Sequence, residues 1–369
     1  MIKSKEVLFL LLITITLVSI SIIMVYSSSS IFASQRFNDP FYFLKRQIIW
    51  VFIGIALMLV CSRINYKVWQ RYSFPLIICG IVLLILVFLP WIGKEIRGAR
   101  RQLLIGQPVE FVKLALVIYI AAFLSKKQEI IKDFIKGFLP FLVILSTVFI
   151  LTVLQPSLGG AINMSIFSLV MFLIGGGRIL HLGYLFLFSL PLPYILIWNV
   201  PYRKRRILGY LFPFDDPLDK GYQIIQSFSA LRRGALHGVG IGNSTQKLFY
   251  LPEPHTDFIF SIIGEEMGFI GAVFILLLFL GFAILGIRIA CKAPDLFANF
   301  LGVGIISMII TQVILNISVV TGLLPTTGLP LPFISFGGSS LISNMIAVGI
   351  LLNISRMDDR LPKVKFMPR

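Results

Sequence analysis

Long apolar stretches recur along the whole chain and restrict it to one fold class. The sequence is 57% hydrophobic and only 13% charged, with a mean hydropathy of +0.93. A water-soluble core cannot bury that much apolar surface, so these stretches must face lipid. A bilayer core of about 30 Å needs roughly 20 apolar residues per helix, and a helix satisfies its own backbone polar groups there. We therefore predict an all-α integral membrane protein.

The number of apolar stretches predicts about ten transmembrane helices. The first stretch is too long for the apolar part of a signal peptide, so we interpret it as a retained helix. No soluble segment, low-complexity tail or tandem repeat interrupts the series, which predicts a single membrane domain over residues 1–369. The predicted spans are residues 7–27, 47–62, 73–92, 109–125, 138–155, 161–176, 180–200, 258–287, 297–320 and 341–355.

Three longer connections are predicted to lie on the same, extracytoplasmic side. They are residues 93–108, a large loop at about 201–257 between the seventh and eighth helices, and residues 321–340. With 201–257 set aside, basic residues number 17 on the side of the termini against 7 on the other side, which favours cytoplasmic termini. The formal net charge is +17, and the outer loops are unusually basic. Anionic lipid headgroups and a phosphate-bearing substrate both explain that charge, and both readings stay open.

The first outer loop leads into a pair of ionisable residues at the membrane boundary. Arg100 and Arg101 follow Gly98 in the motif GARR, and arginine forks match phosphate oxygens in bidentate geometry. Glu110 and Lys113 are three residues apart, so a helix places them on one face, where they can pair. Ionisable groups are costly in a membrane, which makes the pair a candidate site; a structural ion pair is the alternative.

Three further segments give weaker candidates. Gln155 ends one span just before a Gly-Gly pair, which by itself is turn chemistry. In the large loop, Arg232 and Lys247 flank a segment with three alternating glycines that could cradle an anion, although its spacing matches no known phosphate loop. Glu265 and Glu266 lie inside the eighth span, and we expect at least one of them to face the helix bundle.

The stretch YLPEPHTDF places Glu253, His255 and Asp257 at the start of an apolar run. A carboxylate with one side wet and one side apolar suits a general base at the floor of an outer cleft, with the other two groups within reach. The alternative is structural: Thr256 caps the next helix, and Asp257 favours its positive N-terminal end.

The last outer loop, GLLPTTGLPLPFISFGGSS, contains three prolines and four glycines that break any helix before SFGGSS opens the last span. Backbone N–H groups and hydroxyls at Ser335, Gly337, Gly338 and Ser339 could bind an anionic or sugar group. A re-entrant loop with a purely structural role is the alternative.

Taken together, these motifs resemble the SEDS family (shape, elongation, division and sporulation), whose branches include FtsW, RodA and SpoVE. The resemblance spans nearly the whole chain, and the GNS-x-QK pattern favours the FtsW branch over the RodA branch. The motifs that carry it are GARR at 98–101, QPVE at 107–110, DPLDKGYQIIQS at 216–227, GNSTQKLFYLPEPHTDFIFSIIGEEMG at 242–268 and GLLPTTGLPLPFISFGGSSL at 322–341.

The resemblance implies a peptidoglycan glycosyltransferase that polymerises lipid II, a disaccharide-pentapeptide on undecaprenyl pyrophosphate, at the outer face of the cytoplasmic membrane. It implies Asp257 as the catalytic residue and places Glu110 and Lys113 along a central cavity. It implies a divalent cation, Mg²⁺ or Mn²⁺, for which Asp257 and Glu253 are candidate ligands. The implied partners are a class B penicillin-binding protein, other division-complex proteins and membrane lipid, but no nucleic acid. The expected location is the division septum.

Four positions depart from the family's motifs. Ser157 replaces the acidic residue of QPDLGTA, which puts any role of that carboxylate in doubt. Phe336 replaces the tyrosine of SYGGSS and loses a hydroxyl, while Gln102 and Val109 replace the tryptophan of GARRW and the serine of QPSE. These departures fit either simple divergence or a member with altered activity.

The mechanism expected from these residues is general-base catalysis with inversion. Asp257 takes the proton of the acceptor's 4-hydroxyl, which attacks C1 of the donor sugar, while arginines and a divalent ion stabilise the leaving pyrophosphate. Two alternatives from other classes stay open, namely a lipid II flippase and a non-catalytic scaffold that recruits a penicillin-binding protein. A flippase needs access from both membrane faces, whereas the candidate acids cluster on one.

Overall fold

The computed structural model describes residues 5–91, 93–96, 99–103, 106–189, 191–198 and 200–358. Helices dominate it, and one short antiparallel hairpin joins β1 (Lys94–Ile96) to β2 (Ala99–Gln102). The helices are α1 (Lys5–Phe37), α2 (Tyr42–Cys61), α3 (Tyr66–Arg71), α4 (Ser73–Leu86), α5 (Pro108–Lys126), α6 (Leu139–Leu154), α7 (Leu158–Ile174), α8 (Ile179–Ser189), α9 (Pro191–Trp198), α10 (Pro201–Leu211), α11 (Tyr222–Gly234), α12 (Ile259–Cys291), α13 (Leu296–Val320) and α14 (Gly338–Asp358), and a π-helical turn (Phe134–Phe138) precedes α6.

The all-α membrane class is confirmed, and every predicted apolar window overlaps a helix, although α4 ends at Leu86, before the end of the predicted window 73–92. Among the described residues, seven helices are long and apolar enough to cross a membrane: α1, α2, α5, α6 with its π-helical turn, α12, α13 and α14. The helices α4 and α7 are shorter but equally apolar, and the window 180–200 falls on α8 and α9. The exact number of ten spans remains a prediction. The hairpin was not expected, because its charged residues around Gly98 carry no apolar alternation from which a strand is recognised.

Burial divides these helices into a central group and an outer group. About 78% of the apolar stretch of α5 and of α14 is buried, and 61% of that of α13, whereas the values for α1, α2, α6 and α12 lie between 28% and 39%. A helix that is apolar all round and buried belongs to the centre of a bundle, while one with a lipid-facing side belongs to its rim. The central helices α5 and α13 pack against each other, and α14 packs against α2.

The helix α12 is interrupted at Gly268, where the backbone takes φ 69° and ψ −169°. The carbonyls of Glu265 and Glu266 accept the N–H groups of Val239 and Gly240, both at 3.0 Å. Beyond the interruption, the N–H groups of Phe269 and Ile270 donate to the carbonyls of Ala235 and Leu236 at 2.8 and 3.2 Å. The segment 235–240 of the large outer loop therefore supplies the backbone partners that the interrupted helix cannot supply itself.

The large loop between α9 and α12 is itself partly helical. Its four basic residues at 203–206 lie on α10, and residues 222–234 form α11, which packs against α12. Phe269 and Ile270 are 62% and 56% exposed, whereas the residues from Ile259 to Glu266 are all buried. The lipid-facing part of α12 thus begins only after Gly268, and the first part of the predicted span 258–287 is covered by the outer loop.

Candidate active site

Three hydrogen bonds to consecutive backbone carbonyls fix the segment that carries Asp257. The hydroxyl of Ser335 donates to the carbonyl of Thr256 at 2.6 Å, and the amide of Asn316 on α13 donates to that of Asp257 at 2.8 Å. The backbone N–H of Phe336 donates to the carbonyl of His255 at 2.9 Å. The last outer loop and α13 therefore hold this segment from two sides and leave its carboxylate to other contacts.

Asp257 does not serve as a helix cap. The helix α12 begins at Ile259, its N-cap residue is Phe258, and no side chain caps it. The predicted capping by Thr256 is wrong, because the Thr256 hydroxyl donates backward to the carbonyl of Glu253 at 3.1 Å. The purely structural interpretation of Asp257 thus loses its main support.

The carboxylate of Asp257 and the guanidinium of Arg206 both approach Gly328. A methyl group added to the Cα of Gly328 would lie 3.7 Å from Oδ2 of Asp257 and 3.8 Å from Nη1 of Arg206. Gly328 is exposed and has a φ of +75°, a conformation that glycine adopts without strain. A carboxylate and a guanidinium therefore lie close to one exposed backbone position.

Arg206 is a site residue that our sequence analysis did not single out. It lies on α10, its Nη1 donates to the carbonyl of Thr326 at 2.9 Å, and its guanidinium stacks 4.4 Å from the ring centre of Tyr202. The only signal in the sequence was its membership of the basic cluster 203–206. That signal could not tell it from Arg205, which is exposed and pairs with Asp219 instead.

The predicted pairing of Glu110 and Lys113 is confirmed. Lys113 Nζ lies 2.7 Å from Oε2 of Glu110, and the two side chains are 2% and 6% exposed. Lys113 also donates to Oε1 of Gln312 on α13 at 2.6 Å, and Gln312 Nε2 donates to the carbonyl of Pro330 at 2.7 Å. The buried pair is thus linked through Gln312 to the loop that carries Gly328.

A small cleft connects this pair with the surface near Asp257. Its volume is about 30 Å³, which is room for water but not for a sugar. Because Glu110 and Gly328 both line it, the cleft joins the two parts of the candidate site. The lining residues are Gln107, Val109, Glu110, Gln155, Ser157, Gly160, Gly328, Leu329 and Pro330.

Gln155 and two of the departures from the family motifs meet in this cleft. The amide of Gln155 is fully buried and donates to the carbonyl of Leu84 at 2.7 Å, while its Oε1 has no partner within the protein. Ser157 precedes the first residue of α7, and Val109 packs toward Gly160. Ser157 gives the cleft a hydroxyl where the family motif has a carboxylate, and Val109 gives it an isopropyl group where the motif has a serine. Gln102 ends β2, away from these contacts.

His255 lies in an aromatic cluster. It is buried, with its ring 4.4 Å from that of Phe43, 5.8 Å from that of Phe32 and 5.9 Å from that of Phe336. Phe336 also packs edge-on against Phe43 at 5.0 Å, which accounts for an apolar ring at this position. Glu253 is half-buried and has a φ of +52°, so it shapes the turn before Asp257.

Lys247, another predicted loop cation, makes its ion pair away from Asp257. Lys247 is buried and pairs with Glu266 at 3.1 Å, and the Ser27 hydroxyl donates to the same carboxylate at 2.6 Å. Glu265 and Glu266 are both buried, as expected for at least one of them. Arg232 is exposed at the end of α11. Arg100 and Arg101 lie on β2, and their side chains fall outside the described part of the structure.

Of the alternating glycines Gly238, Gly240 and Gly242, Gly240 donates its N–H to the carbonyl of Glu266 on α12 at 3.0 Å, and Gly238 donates to the carbonyl of Gly234 at 2.7 Å, so these two N–H groups are not offered to an anion. The predicted polar groups of SFGGSS also bind within the chain. The Ser335 hydroxyl accepts the N–H of Leu331 at 2.8 Å, and Ser339 accepts that of Gln107 at 2.9 Å. A side chain at Gly338 would collide with the ring of Trp50, whereas Gly337 is more open.

The comparisons with known proteins agree with this architecture. The family model described as cell cycle protein, which covers FtsW, RodA and SpoVE, matches residues 7–360. A Geobacter sulfurreducens protein named probable peptidoglycan glycosyltransferase FtsW is 46% identical over 352 residues, or 94% of each chain. The Bacillus subtilis stage V sporulation protein E is 47% identical over 358 residues, covering 96% of this chain and 98% of that one.

Two solved structures share the fold. A chain of a peptidoglycan synthase complex that coordinates polymerization and crosslinking is 30% identical with a TM-score of 0.77, covering 95% of this chain and 98% of that chain. The rod shape determining protein RodA of Thermus thermophilus is 26% identical with a TM-score of 0.70, covering 94% of this chain and 96% of that one. The chain belongs to the FtsW, RodA and SpoVE family of integral membrane proteins.

Proposed function

We propose that this protein is a peptidoglycan glycosyltransferase that polymerises lipid II at the outer face of the cytoplasmic membrane, with Asp257 as general base. The observation that carries the proposal is the arrangement around Gly328, where a carboxylate and a guanidinium flank an exposed backbone position. The cleft below is too small for a disaccharide. The sugars therefore bind above Gly328, between Asp257 and α10.

The reaction needs one proton transfer and one displacement. Asp257 takes the proton of the acceptor's GlcNAc 4-hydroxyl, and that oxygen forms a bond to C1 of the donor MurNAc. The bond from C1 to the phosphate oxygen breaks on the opposite face, so the configuration inverts. The leaving group is undecaprenyl pyrophosphate, which carries its electron pair away as negative charge.

Arg206 is placed to meet that negative charge. Its guanidinium lies near Gly328, as does the carboxylate of Asp257, and its bond to the Thr326 carbonyl fixes its position before substrate arrives. A preorganised cation costs little reorganisation during the reaction, which is how electrostatic stabilisation accelerates a displacement. The energy for the new bond comes from the substrate, so no nucleotide is required.

A divalent cation fits this site as a companion of the substrate. Among the described residues, no group of three His, Cys, Asp or Glu side chains is placed to hold a metal alone. Mg²⁺ is commonly bound by one or two carboxylates together with substrate phosphates. Asp257 and Glu253 are the residues that would offer such carboxylates, and the ion would neutralise charge on the pyrophosphate.

The buried pair has a positioning role in this proposal. Lys113 holds Gln312, which holds the carbonyl of Pro330, and Asn316 holds the carbonyls of Leu329 and Asp257 at 2.7 and 2.8 Å. The loop with Gly328 and the segment with Asp257 are thereby fixed to the same helix, α13. Gln312 and Asn316, one turn apart on α13, then set the distance between the base and the substrate.

The proposed setting follows from the relatives. A class B penicillin-binding protein is the proposed partner, because a similar chain occurs in a peptidoglycan synthase complex. The division septum is the proposed location and both termini are cytoplasmic, although a sporulation protein is equally similar. Membrane lipid surrounds the protein, and no nucleic acid is involved.

The decisive experiment is lipid II polymerisation by the purified protein together with its cognate partner and Mn²⁺ or Mg²⁺. Wild type should yield a glycan ladder, whereas Asp257→Asn should fold but yield none. Asp219→Asn is the matched control, since Asp219 is an exposed outer-loop carboxylate bound to Arg205, and it should leave the ladder unchanged. A normal ladder from Asp257→Asn would refute the assignment. Transbilayer movement of fluorescent lipid II without any ladder would favour a flippase.

A further inference from the structure

A second crevice, whose lining contains no residue of the candidate active site, lies between the π-helical turn Phe134–Phe138, α6 and α8. Its volume is about 390 Å³. An apolar cavity of about 150 Å³ already holds a benzene molecule, so this crevice has room for a length of hydrocarbon chain. The lining residues are Phe134, Phe138, Leu142, Tyr184 and Leu185.

His181 closes one end of this crevice. It is buried in the first turn of α8, with its ring 5.0 Å from that of Phe138 and 5.6 Å from that of Phe134. Tyr184 and Leu185 follow one turn later on α8, as Leu142 follows Phe138 on the opposite wall. The crevice therefore extends from the π-helical turn along α6 and α8 for about one helical turn.

The connecting loops at the closed end are basic. The side chains there are Lys126, Lys127, Lys132, Lys136 and Arg178, against Glu129 and Asp133. The backbone N–H of Lys136 donates to Oδ1 of Asp133 at 2.7 Å, and this bond holds the pKa of that carboxyl below its ordinary value. Lys132, Lys136 and Arg178 are exposed around the rim.

The position of the crevice and the chemistry of its surroundings both favour a phospholipid as its ligand. Positive charge lies on the connecting loops and the π-helical turn, and the apolar crevice extends from that turn along α6 and α8. A phospholipid has the same order, with its phosphate at the surface and its acyl chain deeper in the membrane. Water does not fill an apolar crevice, and the membrane offers hydrocarbon at this depth. We propose that this crevice binds one acyl chain of an anionic phospholipid, phosphatidylglycerol, with the phosphate held by Lys136 and Arg178. The site does not depend on the proposed glycosyltransferase activity.

The test is the thermal unfolding midpoint of the purified full chain in neutral detergent, titrated with phosphatidylglycerol or with phosphatidylcholine of the same acyl chains. Phosphatidylglycerol should raise the midpoint further, because a ligand that binds only the folded state stabilises it. Leu142→Trp fills the crevice and should weaken this response by about tenfold in lipid concentration. Val143→Trp is the matched control, because Val143 is 55% exposed on the same helix and does not line the crevice.

The charged rim is tested separately. In Lys136→Gln/Arg178→Gln the response to phosphatidylglycerol should fall to that of phosphatidylcholine, while Lys67→Gln/Arg71→Gln on α3 should respond as wild type. If Leu142→Trp does not fold, native mass spectrometry of the wild type and the charge variants compares how much of each lipid is retained. Equal responses of wild type to the two lipids, or a wild-type response from Leu142→Trp, would overturn the proposal.

Discussion

Gly328 illustrates how a single residue without a side chain defines a site. The space next to its Cα is bordered by the carboxylate of Asp257 and the guanidinium of Arg206, and its positive φ is one that glycine adopts without strain. Any larger residue would occupy the space in which the proposed substrate oxygen meets its base. Two effects of a substitution, strain and obstruction, can be separated because the chain contains a second exposed glycine of similar φ.

We predict that Gly328→Ala lowers polymerisation by about 100-fold, since a displacement of about 1 Å at a reacting centre costs that much. Gly242→Ala is the control for backbone strain, because Gly242 has a φ of +88° and nothing within 4 Å of an added methyl group. Both variants are compared by glycan ladder and by thermal midpoint. Equal loss of activity in the two would show that strain, and not obstruction, is responsible.

The buried pair of Glu110 and Lys113 gives a prediction about stability. Removing one partner of a buried ion pair leaves an uncompensated charge, at a cost of about 3–5 kcal/mol. Lys113→Met should therefore lower the thermal midpoint strongly, whereas Glu110→Gln/Lys113→Met should recover most of the loss. If the double variant is as unstable as the single one, the hydrogen bond from Lys113 to Gln312, and not the pair, carries the stability.

Individual residues were predictable where the spacing alone decides the contact. The pairing of Glu110 and Lys113 follows from their separation on a helix, and the position of Asp257 at the start of an apolar run is visible in the sequence. The proximity of Arg206 to Asp257 is not visible in the sequence. The two residues are 51 positions apart, and Arg206 is one of four adjacent basic residues that look alike in sequence. The roles of Ser335 and Ser339 also escaped prediction, since a hydroxyl in a loop gives no indication of its partner.

The interruption of α12 is the feature that could not be predicted from the sequence. Its apolar composition continues through Gly268, so hydrophobic pattern predicts one span, but only glycine adopts the observed φ without strain. A side chain there would lie 2.3 Å from the backbone nitrogen of Gly238 and 2.5 Å from the carbonyl oxygen of Leu236. Close contact between two backbones is what this glycine permits.

Gly268→Ala should therefore destabilise the protein by well over about 1 kcal/mol, because alanine is incompatible with both the φ and the contact. Gly281→Ala in the same helix is the control, since its added methyl group would meet only the end of the Ile13 side chain, at 3.1 Å. The thermal midpoint measures both. A Gly268→Ala variant as stable as Gly281→Ala would mean that α12 can straighten and that segment 235–240 is not required.

At the scale of the whole molecule, composition was sufficient to predict the class of fold. The distribution of charge was sufficient to predict an orientation in the membrane. Mean hydropathy alone excludes a soluble protein, and the apolar windows all overlap helices. Composition could not show which helices are central, because α5 and α2 are similarly apolar, with mean hydropathies of 1.8 and 1.9, yet differ in burial, 78% against 28%. That difference depends on neighbours that are distant in sequence.

The expected orientation is testable by labelling single cysteines in intact cells, in a background without Cys61, Cys79 and Cys291. A membrane-impermeant maleimide should label Lys220→Cys in the large loop, because the distribution of basic residues places it outside. Asp133→Cys, in the loop before α6, should react only after the cells are opened. The reverse pattern would invert the topology and remove Asp257 from the outer face.

The hydrogen bonds between α12 and the outer loop also bear on how the protein is made. Residues 235 and 236 leave the ribosome before the two N–H groups that bind them. If the loop fails to cross the bilayer, Phe269 and Ile270 enter hydrocarbon with bare amide groups, at a cost of several kcal/mol each. A chain inserted with the wrong topology would thus have unsatisfied backbone amides in the membrane. This defect would expose it to membrane proteases, independently of its enzyme activity.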